Sequence, residues 1–251
     1  MEILVCVKRV PTVGGTIAVT ADGLSVDTRM SGFTISPHEE CAVEEAVRLC
    51  ERFGGSVTVV SLGPPEAEEQ LRSCLALGAS SAVLLETAGE EFGPRLTASA
   101  LHSVAAAGGF DLVLLGNEAA DTGDYQVGIR LAHLLGWPAV TGIKGLTVSP
   151  PSIEARREYR GVTETFTLPL PAVITVKEGI NLPRYPSLPG RLRAKRAAIT
   201  RVRLPSAVGE GLRMTSLRVP AVSRRQAAVL GHGAPAVPAL VSVLDELGVL
   251  P

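Results

Sequence analysis

Aromatic residues are scarce: Phe, Trp and Tyr together make up 4% of the chain, while apolar residues reach 46%. The core must therefore be one of Val, Leu and Ala, the composition of parallel strands buried on both faces. No segment approaches the ~20 consecutive apolar residues needed to span a bilayer, so membrane insertion is not expected. An excess of either charge is missing too. The 24 Lys and Arg against 25 Asp and Glu leave a formal charge of −1, so no global field draws the chain to nucleic acid or an anionic surface. The four cysteines, Cys6, Cys41, Cys50 and Cys74, contain no CxxC pair and no ligand-like spacing. Buried thiols in a reducing compartment explain them better than disulfides or a metal centre. The opening apolar run is too short for a signal segment and ends in Lys8-Arg9, which gives a cytoplasmic expectation.

What is present is alternation. Ile3 to Val7 reads as a strand, and Asp22-Gly23 as the turn of a hairpin joining Thr16–Val19 to Leu24–Val26. Ser36-Pro37-His38-Glu39 is a helix start, with Pro at the first position and Glu39 as the return half of a capping box. Ala42, Val43, Ala46, Val47 and Cys50 fall on one face of that helix, with Glu44, Glu45, Arg48 and Glu51 on the other. Strands over 57–62, 82–85 and 112–115 then alternate with helices over 66–77, 95–107 and 125–135. This pattern implies a doubly wound, mostly parallel α/β sheet of Rossmann-like, adenine-nucleotide-binding type. Segments 139–148, 153–159, 163–168 and 171–176 add further strands, with Arg160-Gly161 a turn. Residues 177–198 show little periodicity and read as an extended loop. A short helix, 237–247, closes an arm of small and polar residues. The division expected is an α/β nucleotide-binding domain with β additions (1–176), a docking loop with a basic segment (177–203) and a C-terminal arm (204–251).

Ligands of open parallel sheets bind beyond the carboxyl ends of the strands. The richest loop there runs from Gly116 to Gly128. Thr122, Gly123 and Asp124 lead into the next helix, and their amides, with those of Tyr125 and Gln126, are the candidate unpaired donors of its first turn. Such a turn suits a phosphate. Asp121 and Asp124 also read as the caps of an ordinary helix, the reading that spacing alone slightly favours. There is no GxGxxG fingerprint and no Walker loop. No set of metal ligands with a positioned base accompanies the loop, so the chemistry points to binding, and no catalytic residue is named.

Four segments together resemble the β (small) subunit of electron-transfer flavoproteins. They are Ile3-Leu-Val-Cys-Val-Lys-Arg-Val-Pro, Ser36-Pro-His-Glu-Glu-Cys-Ala-Val-Glu-Glu-Ala-Val-Arg-Leu, Val59-Val-Ser-Leu-Gly-Pro with Leu71-Arg-Ser-Cys-Leu-Ala-Leu-Gly-Ala, and Asn181-Leu-Pro-Arg-Tyr-Pro-Ser-Leu-Pro. They keep order and spacing from residue 3 to about residue 200. The resemblance implies a heterodimer that takes electrons from acyl-CoA or other flavin dehydrogenases to a quinone-linked oxidoreductase. The redox-active FAD is held mainly by the α subunit, and the β subunit buries an AMP as a structural ligand. The implied AMP shell is Cys6, Ser36, Pro37, His38, Glu39, Leu62, Gly116, Asp121, Thr122, Gly123, Asp124, Tyr125, Gln126 and Val127. Val13 and Glu158 are implied near the partner's FAD, and Tyr185 and Leu188 in dehydrogenase docking. Arg191, Arg193, Lys195 and Arg196 would steer an acidic partner, and the arm would pack on the α subunit.

The chain departs from the family pattern at Ser36, where Asn is usual, and at Val127, where a Thr hydroxyl is usual. Gln126-Val127-Gly128 also fits relatives whose β subunit holds a second FAD in place of AMP and bifurcates electrons. From another class, a stress-protein-like nucleotide-sensing module would use the same scaffold without a flavoprotein partner. A nicotinamide dehydrogenase lacks its fingerprint here.

Overall fold

The computed structural model describes residues 1–12, 14, 17–90, 92–204, 214–220 and 227–249. In chain order the elements are β1 (Glu2–Val7), β2 (Val10–Pro11), β3 (Phe33–Thr34), α1 (Pro37–Phe53), β4 (Ser56–Gly63), α2 (Glu68–Leu77), β5 (Ser81–Glu86), α3 (Pro94–Ala107), β6 (Leu112–Gly116) and α4 (Val127–Leu135). Then follow β7 (Ala139–Ile143), β8 (Gly145–Ser149), β9 (Ser152–Tyr159), β10 (Val162–Pro169), β11 (Ala172–Val176), α5 (Leu188–Arg196), β12 (Thr200–Arg203) and α6 (Val237–Glu246).

Seven strands form one parallel sheet in the order β12-β5-β4-β1-β6-β11-β7. Residues Ile3, Leu4 and Val5 of its middle strand are wholly buried, as a strand covered on both faces requires. Alternate side chains serve two cores. Ile3, Val5, Val57, Val59 and Leu114 pack with α1 and α2, while Leu4, Val60, Leu85, Val113 and Val173 pack with α3 and α4. Each fully buried Leu or Ile contributes ~1.5–3 kcal/mol relative to exposure. The layering is thus helix, sheet, helix, as the alternation predicts. A separate antiparallel sheet, β10-β9-β8, closes over the first core through Val148, Ile153 and Ala155. Its β9–β10 turn uses Arg160 (φ 49°) and Gly161 (φ 77°), the positive-φ pair that a tight hairpin needs.

Several details differ from the sequence reading. The hairpin about Asp22-Gly23 is reduced to a single bridge between Val19 and Val26, and Thr16 lies outside the described residues. Leu24 and Val26 are exposed, so no packed face extends the pairing. The segment 139–148 is two strands broken after Ile143, where the chain leaves the main sheet for the small one.

The segment 177–198 is not wholly extended. Ser187 starts α5, its hydroxyl accepting the Gly190 N–H at 3.1 Å. Pro189 occupies the first turn, where its missing N–H costs nothing. Gly190 lets the helix sit against α2, since a Cβ there would lie 2.5 Å from the Ala76 carbonyl oxygen. Arg72 of α2 donates to the carbonyls of Ala194, Lys195 and Ala197, satisfying the orphan acceptors at the end of α5. β12 then adds to the sheet edge beside β5, and Glu86 holds both Arg201 and Arg203.

Glu44 also differs. It faces inward at 2% exposure rather than away from the core, because the chain from Asn181 to Arg184 folds back over that flank of α1. In the C-terminal segment, α6 buries none of its residues, and Leu240, Val241, Leu247 and Val249 are exposed.

Candidate functional site

From β1 the chain moves to β4 and β5 on one side, then returns to β6 on the other. The reversal opens the sheet between the carboxyl ends of β1 and β6, where such folds bind ligands. A cleft of about 400 Å³ occupies this position, a size suited to a small-molecule ligand. Its walls are the ends of β1, β4, β5 and β6, the loop 116–128 and the first turns of α3 and α4.

Ten of the expected shell residues line the cleft: Cys6, Glu39, Leu62, Gly116, Asp121, Thr122, Asp124, Tyr125, Gln126 and Val127. Ser36, Pro37, His38 and Gly123 do not. Ser36 instead donates its buried N–H to Glu39 Oε2 at 3.1 Å, the return half of the capping box of α1. Pro37 is exposed, and His38 packs behind Gly116. Gly123 turns the loop back, with φ 60° and its N–H on the Ala119 carbonyl at 3.0 Å.

The helix that follows the loop begins at Val127 rather than Tyr125. Tyr125 has φ 57°, a left-handed conformation that no first turn of a helix accepts. Arg130 N–H takes up the Gln126 carbonyl, so Val127, Gly128 and Ile129 supply the unpaired first-turn amides. Gly128 is required for the approach: a Cβ there would lie 2.4 Å from Thr175 Cγ2. Thr175 cannot give way easily, being 4% exposed and bonded to Asn117 Oδ1 (2.8 Å) and the Gly142 N–H (2.9 Å). Gly116 is equally confined, its added Cβ falling 2.8 Å from Glu39 Cγ.

Glu39 binds three walls together. Its Oε1 accepts the Lys8 N–H and its Oε2 the Ser36 N–H, each at 3.1 Å, while its stem rests on Gly116. Burial pushes its carboxyl up to about 8, against the lowering effect of those two amides and of the Lys8 charge. Lys8 itself ties the end of β1 to the loop 116–128 through Asp121, Nζ to Oδ2 at 2.7 Å. Burial also holds the Cys6 thiol far above its ordinary range, so it is a neutral wall rather than a nucleophile. Tyr125 is half exposed, and its phenol is raised by a hydrogen bond to Glu118.

The sequence reading missed Lys8, Arg9, Phe33, Thr87, Phe92, Thr97 and Leu101, which also line the cleft. Lys8-Arg9 at the end of the first strand was a usable signal. The remainder come together only through the strand order, with Arg9 lying over the Phe33 ring at 3.2 Å.

The family model for the electron transfer flavoprotein domain matches residues 23–207. The human protein named electron transfer flavoprotein subunit beta is 35% identical over 252 aligned residues, covering 99% of this chain and 98% of that one. The Bacillus subtilis (strain 168) protein of the same name is 40% identical over 172 residues, 68% of this chain and 67% of its own. That from Bradyrhizobium diazoefficiens is 38% identical over 202 residues, 79% and 80% respectively.

The chain belongs to the electron transfer flavoprotein β-subunit family.

Membership places it among the flavoproteins of electron transport. The other described residues that the resemblance singled out sit away from the cleft wall. Glu158 lies on β9, exposed and paired with Lys144 Nζ at 3.0 Å. Val13 lies outside the described residues. Tyr185 and Leu188 are 94% and 72% exposed. Leu182 and Leu192 are exposed beside them, which makes four large apolar side chains on one short segment. That segment is firmly held: Asn181 donates to the Cys41 carbonyl (3.0 Å) and to Glu45 (2.9 Å), and Arg48 donates to the Leu182 carbonyl (3.0 Å). Among the described residues no group of three or more His, Cys, Asp or Glu side chains could hold a metal ion, and no helix is long and apolar enough to cross a membrane.

Proposed function

We propose that this electron transfer flavoprotein β subunit holds one AMP in the β1–β6 cleft as a structural ligand, and takes no catalytic part itself. The observation that carries this reading is the start of α4. Two first-turn residues of α4, Val127 and Gly128, line a cleft at the sheet's switch point, and the backbone reaches it only because Gly116 and Gly128 lack side chains. A phosphate there gains both hydrogen bonds and the helix dipole. Val127 brings no hydroxyl, so backbone amides must do this work. The residues fit a nucleotide and offer no hydrolytic set.

The partner in this reading is an α subunit that holds the FAD, and together they form a heterodimer. The flavin supplies the electron-carrying chemistry, while this chain contributes a rigid body beside it, with Glu158 and Val13 facing the partner and the arm from residue 204 wrapping it. The exposed apolar helix α6 is what such an arm needs in order to bury itself elsewhere. Tyr185 and Leu188, on a segment pinned to α1, dock a flavin dehydrogenase such as an acyl-CoA dehydrogenase. The cations Arg191, Arg193, Lys195 and Arg196 speed its approach. Electrons then pass to a quinone-linked oxidoreductase. The loss of a hydroxyl at Val127 also favours a second reading, in which the cleft takes a second FAD and the protein bifurcates electrons.

Expressed alone, the chain is expected to carry no tightly held flavin and to acquire a yellow, flavin-bearing complex only with its α subunit. A chain that binds stoichiometric FAD alone would transfer support to the bifurcating reading.

A further inference from the structure

The helix α5 has little of what usually holds a helix in place. It is nine residues long, contains Pro189 and Gly190, buries Gly190 and Ala194 alone, and carries Arg193, Lys195 and Arg196 in its last turn. A helix this short is marginal without tertiary support. A cavity of about 520 Å³ lies between the preceding residues, Arg184 to Ser187, and the ends of α1 and α2, with Cys50, Glu51, Leu77 and Gly78 on its lining. Apolar packing therefore does little to fix the direction of α5.

Polar ties fix it instead. Ahead of α5, Arg184 is gripped by Glu44 and Glu51 of α1. At its far end stands Arg72 of α2, whose Nε and Nη2 lie 2.7 and 2.6 Å from Glu68 Oε1. The Nη1 of Arg72 donates to the Ala194 carbonyl at 2.5 Å and to those of Lys195 and Ala197 at 3.3 Å each. One planar guanidinium thus meets a carboxylate along one edge and the open end of a helix along the other, a pattern that a point charge does not reproduce. The hydrogen bond from Arg72 is the main cause holding the Glu68 carboxyl below its ordinary range. Its charge offsets that of Arg72 beside the cations of the last turn, and its Oε2 takes Arg201 of β12, which holds the chain again just past α5.

Leu188, 72% exposed, is the first residue of α5, so the axis of this helix sets where its side chain points. We propose that Arg72 is a positioning residue for the partner dehydrogenase: by capping the carboxyl end of α5 it aims Leu188, an inference that rests on the docking reading of Tyr185 and Leu188 above. Arg72 acts through the helix rather than by a contact of its own. Without the cap, α5 samples other directions and must be ordered again at each encounter. That cost falls on association with the partner and not on electron transfer once the two are docked.

The heterodimer carrying Arg72→Met, which keeps the stem and removes the fork, would be set beside wild type in three measurements. These are amide exchange over 188–197, steady-state electron transfer from a substrate-reduced acyl-CoA dehydrogenase, and flavin reduction by dithionite. Exchange over 188–197 is expected to rise ~10-fold, the scale of a lost hydrogen bond from a charged group, while β1 and β6 stay protected. The KM for the flavoprotein should rise ~10-fold with kcat held within ~2-fold, because α5 is correctly aimed for only part of the time. Dithionite reduction should not change. Arg72→Lys keeps the charge without the fork and is expected to recover only part of the KM. Should Arg72→Met fail to assemble, Glu68→Gln leaves Arg72 in place, weakens its anchor and carries the same measurements with the same signs. Unchanged exchange over 188–197 overturns the positioning role. A matching fall in kcat or in dithionite reduction overturns it too, by placing the effect on the flavin. Faster exchange with an unchanged KM overturns the aiming of a partner through α5, and with it the docking reading, while the hold of Arg72 on the helix stands.

Discussion

Arg184 closes a fork over Glu44. Its Nε lies 2.9 Å from Glu44 Oε2, its backbone N–H reaches the same oxygen at 3.1 Å, and its Nη2 meets Oε1 at 3.2 Å. Glu44 is 2% exposed and Arg184 34%. Burial alone would raise the Glu44 carboxyl, but the hydrogen bonds from Arg184 and Arg48 outweigh it and hold the group below its ordinary range. Glu51 takes the outer edge of the same guanidinium. The segment from Asn181 to Leu188 is thus clamped to α1 while its apolar side chains stay outside. Ordering of this kind lowers the entropic cost of later contact.

Glu44→Ala leaves Arg184 partly buried with a weaker partner. It is expected to lose about 1–3 kcal/mol of stability, at the low end for a broken buried pair because Arg184 remains partly solvated. Amide exchange should rise selectively over residues 181–187. Because the Glu44 carboxyl is depressed in the folded state, its contribution is present near neutral pH and fades as pH falls through the carboxylate range. Unchanged exchange in that segment would contradict the clamp.

Leu188→Ala should leave the fold within about 0.5 kcal/mol, since its side chain is mostly in solvent. Transfer from a partner dehydrogenase should fall ~30-fold or more if Leu188 is the anchor of the contact. A stopped-flow assay of flavin reduction by the dehydrogenase, set beside reduction by a small chemical donor, separates docking from flavin damage.

Glu39 gives the opposite pH sign to Glu44. A buried carboxyl raised from 4.5 to about 8 binds its proton more tightly in the folded state. Its contribution is therefore fully present below pH 4.5 and is lost as pH rises through about 8. Glu39→Gln is expected to flatten the fall in unfolding stability between those limits. Denaturant titrations at pH 5, 6.5 and 8 would show it, and parallel slopes in both proteins would contradict it.

Gly128→Ala forces a methyl onto Thr175 Cγ2. The expected cost is about 1–3 kcal/mol from overpacking, together with loss of nucleotide, since α4 must retreat from the cleft. Thr175→Ser frees that space and should recover part of both.

The parallel sheet was legible because its strands are short apolar runs cut by glycines, from Ile3–Val7 to Leu112–Leu115. The loop 116–128 was legible as chemistry because Gly, Asp and Thr cluster at a strand end. Its details were not: the left-handed Tyr125, which delays α4 to Val127, has no sequence signal in a bulky residue. α5 escaped notice because Gly190 and Ala194 are the only residues it buries, so it lacks an apolar stripe. Glu44 looked solvated for a related reason. Its partner lies 140 residues downstream, and nothing local on α1 announces a covering loop. The far lobe of the cleft, at Thr87 and Thr97, joins to the loop 116–128 only through the order of strands in the sheet.

The central claim is that the β1–β6 cleft holds a structural mononucleotide rather than a second flavin. Denaturing the purified complex and separating what it releases tests this most directly. One AMP and one FAD per heterodimer is the predicted result; two FAD, or FAD with no adenine mononucleotide, would contradict it.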